Sequence, residues 1–184
     1  MSLTSQNINT LLVLCKQGNQ LAQLEVYNRY QQAMYNVSVR IVKNSAEAED
    51  IMQESFITAF NKLDTFKGDA SFGAWLKRIV INNSLTQYRK NSRFTVVSED
   101  SISEEAHQDE FDLTEDDRSQ INAKKLLDCM NELHESYNRI LNLHFIEGYD
   151  YEEICEILNI SYANCRTMIS RAKESLRKKL TQVI

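Results

Sequence analysis

DYEEICEILNISYANCRTMISRAKESL, residues 150–176, carries the signals of two helices joined by a tight turn. Asp150 followed by Glu153 is a capping-box start: a short polar side chain takes an orphan N–H, and the acid three residues on reaches back. The first helix is expected from Tyr151 to about Leu158, with Ile154, Ile157 and Leu158 on one face. Asn159, Ile160 and Ser161 interrupt it, and Ser161 is placed to cap the helix that follows. In that second helix Cys165, Ile169, Ala172 and Leu176 fall at i, i+4, i+7 and i+11, one apolar stripe. Asn164, Arg166, Thr167, Ser170 and Arg171 are left facing outward.

The outward set suits nucleic acid. Arginine forks onto guanine, asparagine onto adenine, and serine or threonine bonds bases or phosphates. Lys173, Arg177, Lys178 and Lys179 continue the positive surface, relieved only by Glu174. A helix-turn-helix lays such a second helix in the major groove, leading with its N-terminal residues. The plainer alternative is a helical hairpin with a solvated basic face.

The 184 residues are enough for one or two domains, and a 42% hydrophobic content supports packed cores. With no proline and only four glycines the chain is expected to be nearly all helix, because strands need turns and turns favour those residues. No stretch approaches the ~20 apolar residues of a membrane span, so no stable membrane insertion is expected. The N-terminus lacks the basic segment and apolar run of a signal peptide, which points to a cytoplasmic protein. Cys15, Cys129, Cys155 and Cys165 are scattered without a C-x-x-C pair, and His134 and His144 lie between them without ligand spacing. Buried, reduced thiols are expected rather than disulfides or a metal site.

The net charge of −5 looks wrong for a DNA binder until it is divided. Residues 1–93 carry eleven Lys/Arg against seven Asp/Glu, residues 94–118 one against ten, and residues 119–184 nine of each. The acid excess belongs to the middle segment.

Two helices are expected within residues 7–36, the first with Leu11, Leu12 and Cys15 and ending at Gly18 and Asn19. Leu21, Leu24 and Tyr27 form the expected apolar face of the second. Periodicity resumes through Met34, Val37, Val39, Ile41 and Val42, and Ser45 is the expected cap of the next helix. Over residues 46–60, Ile51, Met52, Ser55, Phe56, Ile57, Ala59 and Phe60 give an apolar stripe, with Glu47, Asp50, Gln53 and Glu54 on the polar side. Taken alone, that is an ordinary solvated acidic face.

Residues 64–90, DTFKGDASFGAWLKRIVINNSLTQYRK, place a loop at Gly68 and Asp69 and a helix from about Ser71. Trp75, Leu76, Ile79 and Val80 fit a buried face. Phe66, Phe72, Trp75 and Tyr88 alternate with Lys77, Arg78, Arg89 and Lys90. Single-stranded nucleic acid needs such a mixture: stacking faces for bases and positive charge along the backbone. Trp75 and Phe72 also read as simple core residues. From Ser92 to about Gln120 the pattern fails, and a flexible acidic linker is expected. Order returns at Ile121, with Leu126, Leu127, Met130 and Leu133 in one stripe and Ile140, Leu141 and Phe145 in the next.

These segments resemble the bacterial RNA polymerase sigma factors of the extracytoplasmic-function (ECF) class. AEDIMQESFITAF, residues 48–60, looks like the helix by which that family holds core polymerase. FKGDASFGAWLKRIVINN, residues 66–83, looks like its promoter-melting region, and EGYDYEEICEILNISYANCRTMISRA, residues 147–172, like its C-terminal helix-turn-helix. The resemblance implies an all-α fold of two small domains: residues 1–93 for core binding and minus-ten recognition, an acidic linker over 94–120, and residues 121–184 for minus-thirty-five recognition. It implies that Asp50, Gln53, Glu54 and Phe56 dock on core RNA polymerase, whose largest-subunit clamp and flap regions are the expected partners. It further implies that Gly68, Asp69, Ala70, Ser71 and Phe72 capture a flipped-out minus-ten base. Trp75, Lys77, Arg78, Asn82, Arg89 and Lys90 would then line the melted strand. Asn164, Arg166, Thr167, Ser170, Arg171 and Lys173 would read promoter DNA as duplex, and an anti-sigma factor is an expected partner.

Some positions depart from the family. Leu133 and His134 stand where Leu-Pro is usual, Cys155 and Cys165 replace small apolar residues, and Met168 and Ser170 stand where basic residues or histidine are frequent. Fewer cations on the recognition helix imply weaker phosphate attraction or a different sequence preference. No nucleophile–base pair, phosphate loop or metal cluster is legible, so neither catalysis nor a cofactor is expected. Two other functions fit parts of the chain: a polymerase-independent helix-turn-helix regulator, and a helical interaction module with an acidic partner.

Overall fold

A computed structural model describes residues 3–94 and 123–183. Every regular element among them is helical, as the dearth of turn-formers predicts, and they divide into two compact units, Met1–Val97 and Ser98–Ile184. The expected linker lies outside the described residues except at its start, since the helix expected to fail at Ser92 runs on to Phe94.

The first unit is built from α1 (Ile8–Lys16), α2 (Gln20–Val42), α3 (Ser45–Asn61) and α4 (Phe72–Phe94). α2 packs against α1, α3 and α4, and α3 also packs on α4. Asn7 caps α1 by accepting from the Thr10 N–H at 2.9 Å, and Asn19 caps α2 through the Ala22 N–H at 3.0 Å. The sequence suggests two successive periodicities where the structure has one long helix. Its buried side is Ala22, Val26, Met34, Val37, Ser38 and Ile41, whereas Leu21 and Leu24 are exposed, contrary to expectation. The phase set by Met34, Val37 and Ile41 runs unbroken back to Ala22, and the leucines are out of step with it.

Lys43 closes α2 in the left-handed region at φ 56°. That turn leaves Asn44 extended, and Asn44, not Ser45, caps α3 by accepting from the Glu47 N–H at 3.1 Å. The buried face of α3 is Ala48, Ile51, Met52, Ser55, Phe56 and Ala59, and Ile57 departs from the expected stripe by being 61% exposed. Ser71 caps α4 through the Ala74 N–H at 3.2 Å. Phe72, Leu76, Val80, Ile81, Ser84 and Leu85 are its buried side.

The second unit comprises α5 (Ala123–Asn131), α6 (Glu135–Leu141), α7 (Tyr151–Leu158) and α8 (Tyr162–Val183). Cys129, Met130 and Leu133 carry the core side of α5 and its exit, and Leu127 is exposed rather than part of that stripe. His134, at the family's proline position, sits before α6 and caps it. α6 continues into a wider π turn, Asn142–Ile146. The extra residue in that turn shifts the register: Leu143 is buried and Phe145, expected in the core, is 51% exposed.

The Asp150 and Glu153 capping box forms as read, with Glu153 N–H to Asp150 Oδ1 at 2.8 Å and Asp150 N–H to Glu153 Oε2 at 3.0 Å. Asn159 ends α7 in the left-handed region at φ 57°, which asparagine tolerates well. Ser161 Oγ accepts the Asn164 N–H at 3.3 Å. Cys165, Ile169, Ala172 and Leu176 are all buried, so the stripe that defines the outward face of α8 is in place.

Candidate nucleic-acid interface

Three exposed surfaces carry the candidate residues. On α3, Asp50, Gln53 and Glu54 are exposed and share one face at i, i+3 and i+4. Ile57 follows at i+7, an apolar side chain in the middle of an acidic face. No lysine or arginine lies in α3, so this face attracts a positive partner. Phe56 does not belong to the surface. It is 2% exposed, with its ring 4.8 Å from Tyr27 and 6.1 Å from Phe60, so it packs α3 against α2.

The second surface is the loop before α4 and the outer side of that helix. Gly68 has φ 85°, a conformation that L residues adopt at a cost, and Gly68, Asp69, Ala70 and Ser71 are all exposed. Phe72 is buried, so it underlies the loop rather than meeting a ligand. Its ring is 5.8 Å from Phe66, 5.8 Å from Trp75 and 5.4 Å from Tyr30. Trp75 completes the cluster at 5.3 Å from Phe66 and remains half-exposed. The core reading of Trp75 therefore holds in part: the ring packs on Phe66 and Phe72, and part of it meets solvent.

Helical spacing then sorts the polar residues of α4. Trp75, Arg78, Asn82 and Arg89 stand at i, i+3, i+7 and i+14, a single stripe, with Lys90 at its rim. Lys77 stands apart. It precedes Val80, Ile81 and Ser84 by three, four and seven residues, and all three are buried, so it rises beside the core-facing side.

On α8 the outward residues form two flanks and a centre. Asn164 and Arg171, seven residues apart, make one flank, and Arg166, Lys173 and Arg177 make the other. Thr167 and Ser170 lie between them. The Thr167 hydroxyl donates to the Ala163 carbonyl at 2.9 Å. Lys173 Nζ sits 5.3 Å from the Phe145 ring centroid, which holds this cation on its flank. Sequence reasoning missed two of these features. Ile57 was detectable from its seven-residue spacing to Asp50, whereas the Phe145 platform depends on the π turn and had no local signal.

Residues 26–94 match the family Sigma-70 region 2, and residues 123–176 match Sigma-70, region 4. The chain is 30% identical to the ECF RNA polymerase sigma factor SigW of Bacillus subtilis, over 90% of this chain and 92% of that protein. It is 29% identical to the ECF RNA polymerase sigma-E factor of Haemophilus influenzae, over 90% of each. Among solved structures it is similar to the sigma factor RpoE of Bartonella quintana, held there by the anti-sigma factor NepR. That likeness has a TM-score of 0.57 at 21% identity, covering 85% of this chain and 95% of that one. The region 2 match takes in most of α2 and all of α3 and α4; the region 4 match takes in α5, α6, α7 and most of α8.

Proposed function

Since the chain belongs to the ECF class of RNA polymerase sigma factors, we propose that its three exposed surfaces divide the work of promoter recognition among themselves. It is a transcription initiation factor that directs core RNA polymerase to promoters. Asp50, Gln53 and Glu54, joined by Ile57, dock on core polymerase, with Phe56 beneath them. The loop of Gly68, Asp69, Ala70 and Ser71 receives an unstacked minus-ten base. Trp75, Arg78, Asn82, Arg89 and Lys90 accompany the melted strand, and Lys77 contributes charge from the side. Unstacking a base costs a few kcal/mol, which stacking and phosphate contacts offset.

Asn164, Arg166, Thr167, Ser170, Arg171 and Lys173 read the minus-thirty-five duplex. The division of labour follows the chain: residues 1–93 hold polymerase and open DNA, residues 94–120 link, and residues 121–184 anchor on duplex. The polymerase supplies the chemistry, and this chain is not itself an enzyme. It works where core enzyme and promoters are, in the cytoplasm; among the described residues no helix is long and apolar enough to cross a membrane. An anti-sigma factor restrains it, as NepR pairs with the Bartonella protein.

The observation that carries this reading is the coexistence, in one chain, of an acidic docking face on α3 and outward cations on α4 and α8. In-vitro transcription with core enzyme tests it. The chain should move initiation to new start sites; transcription unchanged by its addition rejects the assignment.

A further inference from the structure

A row of aromatic rings leads to the start of α8. The Phe145 and His144 ring centroids are 5.0 Å apart, His144 meets Tyr151 edge-on at 5.2 Å, and Tyr151 lies 6.1 Å from Tyr162. His144 Nδ1 is 3.1 Å from the Tyr149 carbonyl oxygen, a contact that fixes its ring in turn. Tyr162, the first residue of α8, ends the row and is 54% exposed. Its hydroxyl makes no hydrogen bond among the described residues.

The helix gives that ring its surroundings. Tyr162 precedes Arg166 by four residues and Lys173 by eleven, so it extends the flank those two cations form. Lys173 is itself held over Phe145, at the other end of the row. The Tyr162 side chain leans toward the start of α8, as every helical Cα–Cβ bond does, and a helix-turn-helix presents that end to DNA. The flank of a helix lying in the major groove faces the groove wall, which is sugar and phosphate, and cations suit it. A tyrosine adds to them a neutral donor on a stiff ring, which loses little rotamer freedom on binding.

We propose that Tyr162 is a further DNA-binding residue, whose hydroxyl donates a hydrogen bond to a backbone phosphate of the minus-thirty-five duplex and so sets the register of α8 in the groove. This rests on the reading of α8 as the duplex-reading helix and adds to it one residue and one chemical partner. The row of rings gives a reason for a large aromatic to stand in water here. Tyr151 and His144 hold it in place before DNA arrives, and a preorganised donor forfeits less on binding. A tyrosine that only packed α8 onto α7 would need its ring and not its hydroxyl, so the two roles separate at one atom.

The test uses holoenzyme assembled from the full chain, with a duplex that the parent holoenzyme selects from a random pool. Tyr162→Phe keeps the ring and its packing and removes the hydroxyl. It should bind about five-fold more weakly, the value of one ordinary hydrogen bond. The factor should be the same on single-base variants of the duplex, and the salt dependence should not change, because a neutral phenol displaces no counterion. Ethylation interference should show one phosphate whose modification weakens the parent and not Tyr162→Phe. A phenylalanine variant that binds as tightly as the parent overturns the proposal. So does weaker binding with every phosphate still in the interference pattern, or a loss confined to one base pair, which is base reading. A parent holoenzyme that selects no duplex removes the DNA-reading assignment and this proposal together. A parent that selects one, with an unaltered variant, removes Tyr162 alone.

Discussion

The Ser84 hydroxyl on α4 lies 3.0 Å from the Ser38 hydroxyl on α2, and both side chains are fully buried. Ser84 is also 2.8 Å from the Val80 carbonyl oxygen. A hydroxyl has one proton, so with Ser84 donating to Val80, Ser38 supplies the proton between the two serines. A parallel link joins α4 to α3, where Asn83 Nδ2 donates to Ser55 Oγ at 3.0 Å and Ser55 donates to the Ile51 carbonyl at 2.6 Å. Small polar residues here let three helices approach closely. Ser84→Ala should cost about 1 kcal/mol and Ser84→Leu about 1–3 kcal/mol or more through overpacking. Urea unfolding followed by the fluorescence of Trp75, the one tryptophan and a member of this unit, measures both. A leucine tolerated better than the alanine contradicts the close approach.

The α3 surface separates two kinds of effect that are easily confused. Ile57→Arg and Asp50→Arg alter exposed positions, so the unfolding midpoint should move little while affinity for core polymerase falls roughly ten-fold, about 1.4 kcal/mol. Phe56→Ala should instead destabilise the first unit by about 3–5 kcal/mol, because it empties a packed aromatic site. Equilibrium binding of labelled chain to core enzyme, paired with unfolding of the free chain, resolves them. If Ile57→Arg binds core as tightly as the parent, Ile57 lies outside the docking face.

On α8 the two flanks should behave differently from a diffuse positive surface. Arg166→Ala and Arg171→Ala should each weaken promoter-duplex binding by about 1–3 kcal/mol if the side chain forks onto a base. A phosphate contact instead gives a loss that is uniform across sequences and a salt slope shallower by about 1. Footprinting of holoenzyme over a salt series distinguishes the two, and an unchanged footprint in both variants removes α8 from the recognition role.

Legibility in the sequence followed the range of the forces involved. The capping box at Asp150 and Glu153, the helix break at Asn159 and the buried stripe of α8 depend on residues a few positions apart, and the pattern alone placed them. Where burial is decided by partners distant in sequence, the pattern misled. Leu21 and Leu24 look like core, yet the phase of the longer helix gives the buried side to Ala22 and Val26. Lys43 in the left-handed region carries no residue signature, and so the cap was assigned one position late, at Ser45 instead of Asn44. The π turn after α6 likewise leaves no trace in hydrophobic spacing, and it exchanged Phe145 for Leu143 in the core. Among the candidate residues, Phe56 and Phe72 are buried, so neither side chain belongs to the surface on which the sequence reading placed it. The spacing of Lys77 to Val80, Ile81 and Ser84 held the sign that it leaves the α4 stripe.

Gly68 offers a test of whether backbone shape or bulk governs the loop proposed to receive the base. A Cβ added there meets nothing within 4 Å, so space is not limiting; the constraint is φ 85°. Left-handed backbone costs an ordinary L residue about 1–2 kcal/mol, asparagine less, and a β-branched residue most. Promoter opening should therefore decline in the order Gly68, Gly68→Asn, Gly68→Ala, Gly68→Val, although asparagine is bulkier than alanine. Permanganate reactivity of unpaired thymines in the holoenzyme complex reads opening directly. A thermal melt followed at Trp75 shows whether the first unit remains folded. If the ranking instead followed side-chain size, contact with the incoming strand would be the determinant, and the glycine would matter for the room it leaves rather than for the turn it makes.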